Sequence, residues 1–125
     1  MMRALTLISV ILISLSGGCA LRDSDEPAQS VTAGNPANGR RLLYSYGCGS
    51  CHTIPRVGEA DGTAGPPLSG FGNRLYIAGV LENTPDNLFR WIVQPQEVQP
   101  GNAMPDLGVT LGQARDMAAY LYTLR

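Results

Sequence analysis

The chain has 125 residues, enough for one domain, and its formal net charge of -1 gives no pull toward nucleic acid. All nine basic residues are arginine, and 15 glycines and 9 prolines favour short helices joined by shaped loops over long regular elements. Met1 to Gly18 reads as an export signal: Arg3 gives the positive start, Leu5 to Leu15 is uncharged and apolar, and Ser16-Gly17-Gly18 supplies small residues before Cys19. The apolar run is short for a spanning helix, which needs about 20 residues. The stretch Leu15 to Cys19 resembles a lipoprotein processing site, with Ser16 standing where that pattern has leucine. Lipidation of Cys19 is the expectation; ordinary cleavage or an uncleaved anchor are the alternatives. Residues 19–34 then read as the anchor cysteine and a flexible tether, since they carry Asp23, Asp25, Glu26 and Pro27 and no apolar period.

A domain is expected over 35–125. Asn35 and Pro36 form a cap and a first helical residue, Gly39, Leu42, Leu43 and Tyr46 share one helical face, and Gly47 ends the helix. Cys48-Gly49-Ser50-Cys51-His52 follows, two thiols two residues apart and then a histidine, the attachment pattern of a c-type haem. One short helical turn presents both sulfurs to one edge of a porphyrin, and the next residue brings its imidazole to the iron. A redox dithiol would need a βαβ setting, and a zinc site would need more donors than a chain whose one histidine is His52 and whose remaining cysteine is Cys19. Covalent haem c is therefore the expected cofactor.

Thr53 to Ala64 reads as a loop. Pro66 and Pro67 fix an extended backbone that can hold a carbonyl against the histidine; a merely rigid loop is the alternative. Phe71 to Val80 carries a weak helical pattern. Thr84-Pro85-Asp86 starts a helix with Leu88, Trp91 and Ile92 on one face, and Pro95 ends it. Gln96 to Asp106 is expected to be irregular. Thr110 and Gln113 form a capping box for a last helix carrying Ala114, Met117, Tyr120, Leu121 and Leu124. Among the four methionines, Met1 and Met2 lie in the signal and Met117 on an apolar stripe, where methionine is ordinarily core. Met104 precedes Pro105 on an extended loop and is the favoured second axial ligand; a methionine packed on the haem edge is the alternative.

These residues resemble the class I cytochrome c family over Asn35 to Arg125, which implies an all-α fold of short helices and loops around one covalently bound haem. The resemblance implies that the Pro66 carbonyl accepts from His52 and that Arg74 and Trp91 approach haem propionates. Leu68, Phe71, Trp91 and Leu107 would wall a dry pocket. It also places the last helix, at Met117 and Tyr120, across the first at Gly39 and Leu43. Gly79 to Leu88, Trp91-Ile92, and Gln94 to Met104-Pro105 resemble more narrowly the cytochrome c domain fused to subunit II of some bacterial haem-copper oxidases. The implied function is single-electron transfer without enzymatic activity of its own. The electrons would go to or within a respiratory terminal oxidase, from a donor such as a quinol-oxidising complex. The protein would be periplasmic or held by lipid at the outer face of the cytoplasmic membrane. A haem-based ligand sensor and a structural oxidase subunit are the other readings. The absence of lysine departs from cytochromes that dock through a lysine ring.

Overall fold

The computed structural model describes residues 31–125; the expected signal peptide, Cys19 and the first part of the tether lie outside the described residues. Helix α1 spans Pro36–Ser45. It starts where Asn35, in extended backbone, accepts from the Asn38 amide at 2.9 Å, and Pro36 supplies a preset φ with no donor to satisfy. Its first turn has no acid. Asp116 of the last helix takes that place, accepting from the Asn35 amide at 2.7 Å and from Asn38 Nδ2 at 2.6 Å, so a distant carboxylate sits on the positive end of α1. Gly47 follows the helix at φ +68°, a left-handed turn that suits glycine.

The last helix, Leu111–Thr123, opens with the expected capping box: the Thr110 hydroxyl accepts from the Gln113 amide at 3.3 Å, and Gln113 Oε1 accepts from the Thr110 amide at 2.9 Å. The same Oε1 accepts from the Tyr46 hydroxyl at 2.9 Å, which ties this cap to the end of α1. The two helices cross at Gly39, where a Cβ would stand 2.5 Å from the Asp116 carbonyl carbon. Leu43 and Met117 close the crossing at 3% and 1% exposure. The crossing that the resemblance implied is thus present, and only glycine fits at its centre.

Packing on the last helix begins before Asn35. Thr32 is buried, and a Cβ on Gly34 would stand 2.8 Å from the Asp116 amide nitrogen. The end of the expected tether therefore belongs to the folded part, because Thr32 is buried and Gly34 lies directly on the backbone of the last helix.

Helix α2, Pro85–Val93, has Thr84 as its cap and Asp86 in its first turn. It buries Leu88, Phe89 and Ile92 against the last helix, while Trp91 is half-buried. Two features depart from the expected order. Pro95 ends α2 and also begins a four-residue helix α3, Pro95–Val98, in a stretch expected to be irregular. Phe71 to Val80 holds one tight helical turn, Phe71–Asn73, and the strand β1, Tyr76–Ile77, which pairs antiparallel with β2, Leu81–Glu82, just beyond it. The ribbon is too small to change the mostly helical class. The last helix, Leu111–Thr123, is α4 in chain order. Among the described residues no helix is long and apolar enough to cross a membrane.

Candidate haem-binding site

The attachment segment is one tight helical turn, Cys48–Ser50, opened by Gly47. The Cys51 and His52 amides both donate to the Cys48 carbonyl, at 3.3 and 3.0 Å. In so tight a turn residues three apart line up, so both cysteines project on one side. Cys48 is half-buried, Cys51 is exposed, and both are free thiols. Burial pushes the Cys48 thiol above its ordinary value, partly opposed by a backbone hydrogen bond, with the neighbouring Cys51 raising it further. The other side of the turn is closed by backbone. A Cβ on Gly49 would stand 2.6 Å from Ala60 Cα, and one on Gly62 would stand 2.6 Å from the Cys51 amide nitrogen. The loop 53–64 is no loose connection: it buries Ile54, Val57 and Ala60, and its Pro55 carbonyl accepts from the Tyr120 hydroxyl at 2.6 Å.

His52 is oriented from the proline loop. Its Nδ1 lies 2.7 Å from the Pro66 carbonyl oxygen, the contact that the resemblance implied. A carbonyl can only accept, so Nδ1 carries the proton and Nε2 keeps its lone pair for a metal. Gly65 lies against the ring: a Cβ there would stand 2.7 Å from Nδ1 and closer still to Cε1. The Gly65 amide donates to the Cys51 carbonyl and the Leu68 amide to the Thr53 carbonyl, both at 2.8 Å, so the loop is clipped to the attachment segment on each side of the histidine. Arg74, expected at a propionate, turns Nη2 to the Pro67 carbonyl and, at 3.2 Å, to the Ser69 carbonyl. Its guanidinium lies 5.5 Å from the Phe71 ring centroid. The arginine thus braces the loop that orients His52. Leu68 and Phe71 are buried and Trp91 is half-buried, whereas Leu107, the fourth expected pocket wall, is 40% exposed.

Met104 lies half-buried on the loop after α3, and Met117 is core, as expected. The Met104 amide donates to Asn102 Oδ1 and its carbonyl accepts from Gln96 Nε2, both at 2.7 Å. The structure brings Cys48, Cys51, His52, Pro66, Leu68 and Arg74 into one hydrogen-bonded unit. Trp91 lies on α2 and Met104 on the loop after α3, where its backbone bonds are to Gln96 and Asn102. Gln96, Asn102 and Gly65 were not singled out in the sequence. The signals present were two carboxamides inside a proline-rich stretch and a glycine just before a proline pair.

The donor set fits a covalently held haem. Two free thiols share one side of a turn, the next residue offers an imidazole nitrogen with a free lone pair, and Gly65 leaves no side chain beside that ring. Among the described residues no three His, Cys, Asp or Glu side chains gather as an alternative metal site.

The cytochrome c family model matches residues 36–125. The sequence is 38% identical over 81 residues to cytochrome c oxidase subunit 2 of Alkalihalophilus pseudofirmus, covering 65% of this chain and 22% of that protein. It is 34% identical over 87 residues to the same subunit of Bacillus subtilis, covering 67% and 24%. Against cytochrome c2 of Rhodopila globiformis it is 32% identical over 109 residues, covering 77% of this chain and 99% of that protein. The chain thus spans about a quarter of the oxidase subunits and nearly all of the cytochrome c2.

Proposed function

The chain belongs to the cytochrome c family, with a covalently bound haem c and the role of an electron-transfer cytochrome, and on that premise we propose that it delivers single electrons to or within a membrane terminal oxidase. When bound, the haem supplies a one-electron couple between ferrous and ferric iron. Cys48 and Cys51 would hold it by thioethers, and His52 Nε2 and the Met104 sulfur would be the iron's protein ligands. The Pro66 carbonyl takes a hydrogen bond from Nδ1, which fixes the ring and raises its basicity. A soft thioether as the second protein ligand would favour the reduced form and raise the potential. Leu68 and Phe71, both buried, would exclude water on the histidine side, and Trp91 would lie near a propionate. Rigid ligation keeps rearrangement small as the charge changes.

The single observation that carries this reading is the His52 ring held through Nδ1, with Nε2 free, one residue after two free thiols on one turn. The oxidase as partner is favoured by similarity to the oxidase subunits. A donor such as a quinol-oxidising complex would reduce it. An export signal with a lipid on Cys19 would place the domain at the outer face of the cytoplasmic membrane, where sharing one layer raises the effective concentration of partners. The test is stopped-flow mixing of the reduced protein with membranes containing a terminal oxidase. Rapid oxidation blocked by cyanide supports the proposal; oxidation no faster than in buffer refutes it.

A further inference from the structure

Between Pro95 and Val109 no residue is buried, so packing does not fix the loop that carries Met104. Polar side chains do: Asp106 Oδ1 accepts from the Gln96 backbone amide at 3.3 Å, and two carboxamides supply the rest. Gln96 Nε2 donates to the Asn102 carbonyl at 2.9 Å and to the Met104 carbonyl at 2.7 Å, while its Oε1 accepts from the Gly101 amide at 3.0 Å. Asn102 Nδ2 donates to the Pro95 and Gln99 carbonyls at 2.9 and 2.7 Å, and its Oδ1 accepts from the Met104 amide at 2.7 Å. Both side chains use both amide hydrogens and an oxygen. Their orientation is determined by their partners, because a flipped amide would face carbonyls with oxygen and N–H groups with hydrogen.

The arrangement is directional. Gln96 is the second residue of α3, whose first residue, Pro95, is buried. The loop is thereby referred to a fixed helix rather than to itself. Asn102 and Gln96 take one polar backbone group each of Met104, so the methionine backbone is held on both sides. Gly101, at φ +80°, and Pro105 shape the chain around this hold but give it no anchor.

We propose that Gln96 is the positioning residue that keeps the Met104 thioether on the iron and sets how often the loop opens to admit another ligand. The proposal rests on Met104 being the axial ligand. Without the Gln96 amide, the Met104 carbonyl and the Gly101 amide lose their bonds to α3, and the loop is left with Asn102 Nδ2 on the Pro95 carbonyl and Asp106 Oδ1 on the Gln96 backbone amide. Ligand exchange at the iron then becomes easier while the fold built on α1 and α4 stays intact.

The experiment uses the haem-loaded full chain and exogenous imidazole as the probe of an open site. Gln96→Leu removes the donors and the acceptor. Gln96→Glu keeps an acceptor for Gly101 and loses the two donors, and it decides the matter if the leucine variant does not fold. Glu97→Ala, on the same helix and without a side-chain hydrogen bond among the described residues, is the control. Both Gln96 variants are expected to raise the affinity of the ferric protein for imidazole at least tenfold and to weaken the thioether-to-iron charge-transfer band. Exchange of the Gly101 amide should quicken in Gln96→Leu, with the circular-dichroism unfolding midpoint within error of Glu97→Ala. Native imidazole affinity in the folded Gln96 variants, with the band lost in Met104→Ala, overturns the positioning role and leaves the ligand in place. A band that survives in Met104→Ala overturns the ligand reading, and the positioning role falls with it.

Discussion

Gly65→Ala is the smallest change that reaches the iron through the histidine. Gly65 has no left-handed backbone to protect, so the effect is steric. The new Cβ would stand 2.7 Å from His52 Nδ1, against the roughly 3.5 Å that a non-bonded pair of heavy atoms tolerates. Either the ring or the proline loop must move by about 1 Å, and the 2.7 Å bond from Nδ1 to the Pro66 carbonyl lies across that same gap. Overpacking of this kind costs about 1–3 kcal/mol. Weakening the bond makes the imidazole less basic, which destabilises the ferric form relative to the ferrous. A tenfold change in that balance is about 59 mV for one electron, so the potential should rise on the order of 60 mV. The assays are a redox titration and denaturant unfolding of the haem-loaded protein. Gly112→Ala is the control, because its Cβ would meet nothing within 4 Å; it should leave the potential alone and stabilise the helix by up to about 1 kcal/mol. A Gly65→Ala protein with native potential and stability would refute the reasoning.

Gly39→Ala should separate α1 from α4, because its Cβ would stand 2.5 Å from a backbone carbonyl carbon that no rotamer change can move; a loss of about 3 kcal/mol or more in urea unfolding is expected. Burial pushes the Tyr122 hydroxyl up to about 12, while an unfolded phenol ionises near its ordinary value of about 10. In that window the folded chain binds the extra proton, so stability falls as pH rises from about 10 to about 12. Tyr122→Phe should flatten that part of an alkaline unfolding series, at the cost of the 3.0 Å bond to Asn83 Oδ1, about 1 kcal/mol. If the proposed oxidase is the partner, a chain of net charge -1 without lysine should dock on it by mostly apolar contacts; turnover measured from low to moderate ionic strength should change little, and a steep loss with added salt would count against it.

What could be read from the sequence was local. Asn35 with Pro36, Thr84 with Pro85, and Thr110 with Gln113 announce helix starts because a cap acts within three residues. The haem motif is equally local, since two thiols and an imidazole must share one turn. The role of Gly39 needed the helix crossing, which the family resemblance supplied. The ribbon at Tyr76 and Leu81 was not legible, because strands of two residues carry no alternation to detect. Pro95 was read as a stop, yet a proline that ends one helix is also well placed to begin the next. The carboxamide hold on Met104 joins positions six and eight residues apart through a loop with no period, and the bonds of Arg74 to loop carbonyls join positions five and seven residues apart. Such polar contacts depend on where the chain returns in space, and composition does not encode that.

The central claim is a haem bonded to Cys48 and Cys51 with His52 on its iron. The most direct measurement is the intact mass and absorption spectrum of the denatured, acid-acetone-extracted protein made in a host that matures c-type cytochromes. The account predicts colour and one haem mass retained on the native chain and lost when both cysteines are replaced by alanine. A native chain that gives up its haem to the solvent, or never takes one, would contradict it.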